Sequence, residues 1–165
     1  MLNKMLAVVS CLMFLATVLA FVHAADTSVP APIQSVMTPY LQIHDALARD
    51  SLDGVSAAAS ALGKATGGDK MFPGELGREA QALAQATDLG TAREAFKPLS
   101  ATLIKILDDH HVKSDVYVEA YCPMQKAGWL QTGTTVSNPF GASMASCGSI
   151  VAGKTTPSTD GGCCN

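Results

Sequence analysis

The sequence predicts a mainly α fold: a four-helix up-and-down bundle followed by a short C-terminal strand and an irregular loop that carries cysteine and methionine. Three observations predict it. Between residues 36 and 106, apolar side chains recur at steps of three and four, the stripe of an amphipathic helix, in four successive stretches. The connections between these stretches are short, which makes neighbouring helices antiparallel. After Lys113 the period switches to two for a few residues, and the chain then becomes rich in Gly, Pro, Ser, Thr and Asn.

The chain of 165 residues opens with Lys4, an uncharged run from Met5 to Phe21, and the step Val22-His23-Ala24. This is the pattern of a signal peptide over residues 1–24, with cleavage after Ala24 or Ala25. The run spans about 17 residues, short of the roughly 20 that cross a bilayer, so a retained anchor is the weaker reading. A lipid anchor on Cys11, after Val8-Val9-Ser10, is a minor alternative. Residues 25–35, with Pro30 and Pro32, read as a linker. The domain proper is expected over 36–153.

Val36, Tyr40, Ile43 and Leu47 mark the first helix, with Asp45 and Arg49 off the stripe. Leu52, Val55, Ala59 and Leu62 mark the second, with Ser51 placed to cap it. A loop follows from Gly63 to Gly74; without a Gly-Lys-Ser/Thr ending it is not a phosphate-binding loop. The third helix is expected over Glu75 to Ala86 through Leu76, Ala80 and Leu83. The fourth runs from about Thr91 to Asp108 on the seam of Leu89, Ala92, Phe96, Leu99, Leu103 and Ile106, with a kink or break at Pro98. Val116, Val118 and Ala120 alternate with Tyr117, Glu119 and Tyr121 as one short strand leading into Cys122. From there to Gly148 a long loop is expected, too long to be idle in a small domain. Residues 154–165 read as a disordered tail ending in Cys163-Cys164-Asn165.

Composition narrows the function class. Apolar residues make up 48%, charged residues 15%, and the net charge is -3. No cluster of Lys or Arg offers a footprint for a phosphate backbone, so nucleic acid is not expected as a partner. The mean hydropathy of +0.23 owes most to the leader. No second apolar span follows it, so the mature chain is expected to be periplasmic or secreted, with no membrane contact after cleavage. Of the five cysteines, Cys11 leaves with the leader, and Cys122, Cys147, Cys163 and Cys164 remain in an oxidising compartment.

Two short segments concentrate soft sulfur: Cys122-Pro123-Met124 and Met144-Ala145-Ser146-Cys147. Proline keeps Cys122 extended, so its thiol and the Met124 thioether can share a side. The Met-x-x-Cys spacing does the same in a turn. If the loop folds back, four sulfurs converge on a site for Cu(I) or a similar soft metal ion, with Trp129 able to cap it with its ring. The competing reading is a Cys122–Cys147 disulfide closing a loop of about 25 residues, worth roughly 3 to 4 kcal/mol, with both methionines as core fillers. The two are also possible redox alternatives of one site. Adjacent Cys163 and Cys164 can chelate or deliver a soft ion, or form disulfides.

Asp108-Asp109-His110-His111 is a second cluster, suited to Zn or Cu(II), or equally a solvated helix end whose histidines meet the carbonyl end of the macrodipole. His44, beside the first stripe, reads as a partly buried, hydrogen-bonded histidine. Catalysis has little support: there is no His-Glu-x-x-His and no Cys-x-x-Cys, and Gly141-Ala142-Ser143-Met144-Ala145 fails the Gly-x-Ser-x-Gly pattern at its last position. A Cys122 nucleophile with His110 or His111 lacks an oxyanion hole and a third member.

The run Val116 to Met124, then Trp129-Leu130, Asn138-Pro139-Phe140-Gly141 and Met144 to Gly148, resembles domain-of-unknown-function family 3347 of bacterial periplasmic proteins. That family occurs alone or fused to adaptor subunits of heavy-metal efflux pumps. Tyr40-Leu41 to Ala48 and Phe96-Lys97-Pro98-Leu99-Ser100 are similar to its helical part. The resemblance implies a helical domain linked to handling copper or related metals. The chain departs from it at Ala142 and in its Cys-Cys tail.

The expected function is therefore soft-metal binding, for sequestration or transfer in metal resistance, through Cys122, Met124, Met144 and Cys147. Trp129, His110, His111, Cys163 and Cys164 are accessory candidates, and a periplasmic efflux adaptor is the expected protein partner. The alternative is a non-catalytic interaction module stapled by a Cys122–Cys147 disulfide. A third, weaker class is a thiol redox enzyme using Cys163 and Cys164.

Overall fold

Pro30 stands at the N-cap of the first helix and Pro32 in its first turn, rather than both lying in a linker. The computed structural model describes residues 29–151; the expected signal peptide, the first residues of the linker and the tail with Cys163 and Cys164 lie outside them. Helix α1 spans Ala31–Ala48, with Pro30 ahead of it and Pro32 in the first turn, where its missing N–H would have had no intrahelical partner. Val29 and Ile33 are buried, extending the apolar stripe upstream of Val36. The linker expected to reach residue 35 therefore gives way to helix from Ala31 onward.

Helix α2 covers Val55–Ala65, α3 Gly74–Ala84 and α4 Leu89–Asp109. Ser51 does not cap α2: its hydroxyl accepts from the Asp53 N–H at 3.0 Å in the turn, and Gly54, at φ 78, opens the helix. Asp88 caps α4, accepting from the Thr91 N–H at 2.8 Å and from the Thr91 hydroxyl at 2.7 Å. Helix α4 continues through Pro98 without a break. Its seam of Ala92, Phe96, Leu99, Leu103 and Ile106 is buried as the spacing predicts.

The sheet is the main correction to the expected fold. In place of one short strand the described residues hold three antiparallel strands, β1 (Tyr117–Cys122), β2 (Ala127–Thr132) and β3 (Ser149–Ile150), in the order β2-β1-β3. The β1–β2 hairpin runs in register from Tyr117↔Thr132 to Cys122↔Ala127, with Lys126 at φ 49 in its turn. Alternation puts Val118, Ala120 and Cys122 on one face with Ala127, Trp129 and Gln131. The opposite face meets α4, where a Cβ on Gly128 would lie 3.3 Å from the Ile104 Cδ1.

Helices α1 to α4 pack in chain order, and β2 lies along the seam between the first and the last. Tyr40 ties that seam together. Its ring packs against Phe96 at 5.2 Å between centroids, and its hydroxyl lies 2.6 Å from the Ser100 Oγ. The Leu130 N–H donates to the Tyr40 oxygen at 3.0 Å, and Ser100 donates to the Gly128 carbonyl at 2.9 Å. Those two bonds leave Tyr40 as the donor to Ser100. Burial pushes the Tyr40 phenol well above its ordinary value, which keeps that proton in place. Among the described residues no helix is long and apolar enough to cross a membrane.

Candidate functional site

Cys122 closes β1 immediately before Pro123, so its backbone is extended and its side chain joins the face of Trp129. Cys147 follows the 3-10 turn Ala142–Met144, with its N–H donating to the Met144 carbonyl at 2.8 Å. Gly148 lets this segment approach: at φ 133, a Cβ there would lie 2.9 Å from the Trp129 ring and 3.0 Å from the Tyr121 carbonyl oxygen. The result is a pair of thiols with sulfurs 2.8 Å apart, Cys122 at 0% and Cys147 at 6% exposure.

Burial alone raises the Cys122 thiol, but hydrogen bonds from Cys147, from the backbone N–H groups of Gln125 and Met124, and from the Asn138 side chain outweigh it and hold the thiol below its ordinary range. The hairpin turn thus supplies the donors that favour a thiolate. Asn138 is buried and has its own partners. Its Nδ2 donates to the Cys147 carbonyl at 2.7 Å, its Oδ1 accepts from the Phe140 N–H at 2.8 Å, and its backbone N–H donates to Ala145 at 2.9 Å.

Helices hold the Ser137–Phe140 strap from both sides. The His44 Nε2 lies 2.9 Å from the Ser137 carbonyl, while its Nδ1 lies 2.9 Å from Asp45. Arg93 donates to the Pro139 carbonyl at 3.0 Å and to the Leu47 carbonyl at 3.1 Å, and pairs with Asp50. Lys97 sits 5.7 Å above the Phe140 ring, which also packs edge-on to Trp129.

The structure joins the two thiols, and the two thioethers differ in burial. Met144 is half-buried, with its sulfur 3.4 Å from the Gln125 Nε2 on the hairpin turn. Met124, on the same turn, is 69% exposed. Trp129 is fully buried, donates to Gln131 at 2.9 Å, and packs as a core residue. His110 and His111 are exposed at the end of α4, where Asp109 pairs with Lys105 and His111 lines a cavity of about 220 Å³ with Ile104, Glu119 and Leu130. Among the described residues, no group of three or more His, Cys, Asp or Glu side chains gathers to hold a metal ion. Asn138, His44 and Arg93 were not expected as parts of this site; the Asn-Pro-Phe-Gly run was a signal for Asn138 alone, and His44 was expected only as a partly buried, hydrogen-bonded histidine.

Residues 36–115 match the family Protein of unknown function (DUF3347). The DUF3347 match takes in most of α1 and all of α2, α3 and α4, and stops just before the sheet. The sulfur segments and the Asn-Pro-Phe-Gly run lie beyond it. No curated protein and no solved structure matches the chain.

Two chemistries are open to the thiol pair, which lies beyond the matched residues. A disulfide needs the sulfurs to close to about 2.05 Å. A soft cation fits the donor chemistry, but at bond lengths of about 2.3 Å the present separation would force an angle of about 75° at the ion. Tetrahedral binding needs the sulfurs about 1 Å further apart.

Proposed function

We propose that the chain binds a soft cation, Cu(I) or a similar ion, through the Cys122 and Cys147 thiolates, and sequesters or transfers it in metal resistance. The buried thiol pair carries this reading, because hydrogen bonds favour the Cys122 thiolate and thiolates select soft ions over Mg²⁺ and Ca²⁺. Met144, bonded to the hairpin turn through Gln125, supplies the next ligand, and exposed Met124 receives the incoming ion. The leader-like residues 1–24 and the resemblance of the C-terminal motifs support a periplasmic or secreted location and an efflux adaptor as partner. In this reading the protein is a carrier and not an enzyme.

A second reading is favoured by the 2.8 Å separation, which lies nearer a disulfide than a metal-bridged pair. Here Cys122–Cys147 is a staple and the domain a non-catalytic interaction module of an efflux system. One sample separates the two. Protein isolated from its native compartment is analysed for metals and for alkylatable thiols under denaturing conditions. Bound copper with Cys122 and Cys147 both alkylatable supports the carrier; no metal with both cysteines unreactive until reduction supports the staple.

A further inference from the structure

We propose that Asn138 is the positioning residue of the sulfur pair, and that α1 and α4 act on the pair through it. The inference concerns the pair's geometry and stands whether or not the pair binds a metal.

The side chain is 1% exposed, and its carboxamide is used at both ends. The nitrogen donates to the Cys147 carbonyl at 2.7 Å, and the oxygen accepts from the Phe140 N–H at 2.8 Å. One residue therefore ties the segment bearing Cys147 to its own strap, its backbone N–H adding a bond to the Ala145 carbonyl at 2.9 Å. Only a carboxamide supplies two donors and an acceptor at this length; a carboxylate of the same shape supplies no donor when ionised. The carbonyls on either side of Asn138 are held from different helices, Ser137 by His44 of α1 and Pro139 by Arg93 of α4. The helices thereby fix where the carboxamide sits, and the carboxamide fixes how the two sulfurs face each other.

Juxtaposition of two thiols is measurable as their effective concentration. Full-length protein carrying Cys163→Ser and Cys164→Ser is equilibrated with glutathione. The dithiol and glutathione disulfide exchange to the Cys122–Cys147 disulfide and two molecules of glutathione thiol, with the protein's two electrons and two protons passing to the glutathione sulfurs. Asn138→Asp is expected to lower this equilibrium constant about tenfold, the loss of the buried bond donated to the Cys147 carbonyl with a carboxylate left against it. His44→Gln and Arg93→Gln are expected to lower it about threefold each, and they carry the test if Asn138→Asp does not fold. Leu62→Ala, a core truncation in α2, is the control for general loosening: it lowers thermal stability but leaves the constant within about twofold. A constant unchanged in Asn138→Asp and in both helix variants, or lowered equally by Leu62→Ala, overturns the inference. Absence of metal binding by the parent protein overturns the carrier reading alone, because the glutathione equilibrium contains no metal.

Discussion

Tyr40 couples the helices to the sheet with a single hydroxyl, receiving the Leu130 N–H and donating to Ser100, which donates in turn to Gly128. Removing that oxygen leaves a buried backbone N–H and a buried serine short of a partner. Tyr40→Phe is expected to cost about 2 to 3 kcal/mol in denaturant unfolding, the penalty for stranding buried polar groups rather than for losing volume. At the same scale the sulfur pair depends on small features. Pro123 keeps Cys122 extended, the backbone of the following turn favours its thiolate, and Gly148 admits the Cys147 segment under Trp129. The two cysteines were legible in the sequence because thiols beside thioethers are rare and can be counted. Asn138 was not: one asparagine in a polar loop has no periodicity, and its role exists only once three segments meet around it.

Among the elements, the four helices were legible because each buries a face, and burial leaves a three-and-four pattern that survives even Pro98 inside α4. The start of α1 was not, since Pro30 and Pro32 look like linker residues unless Val29 and Ile33 are counted as part of the stripe. The sheet was half legible. Strand β1 alternates, but β2, Ala-Gly-Trp-Leu-Gln-Thr, buries Trp129, Leu130 and Gln131 in succession, and β3 has only two residues. A strand covered on both faces loses the alternation that reveals it. One element yields a pH test. Thr91 hydrogen bonds hold the Asp88 carboxyl below its ordinary range, so its cap stabilises fully above an unfolded value of about 3.9 and is lost as pH falls through the lower folded value. Asp88→Ala is expected to lower Tm at pH 7 and to leave it unchanged near pH 2, as read by circular dichroism.

At the scale of the whole molecule, the helices form a holder and the sheet with its covering loop presents the sulfur pair. The DUF3347 match falls on the holder. His44, Arg93 and Lys97 reach from it to the strap on which Asn138 sits. Closing the pair covalently would link positions 25 apart in sequence, and the oxidised protein is expected to resist denaturant by about 3 kcal/mol more than the reduced one. That gain belongs to the disulfide state. In the carrier state the same sulfurs are open to a cation, so oxidation and metal binding exclude each other at this site.

The most direct test of the carrier account is a competition titration of reduced protein with Cu(I) against a Cu(I) chelator, in the Cys163→Ser, Cys164→Ser background. Tight binding is expected there, with affinity falling roughly 100-fold or more when Cys122→Ser and Cys147→Ser are added. An affinity unchanged by the loss of both sulfurs would contradict it.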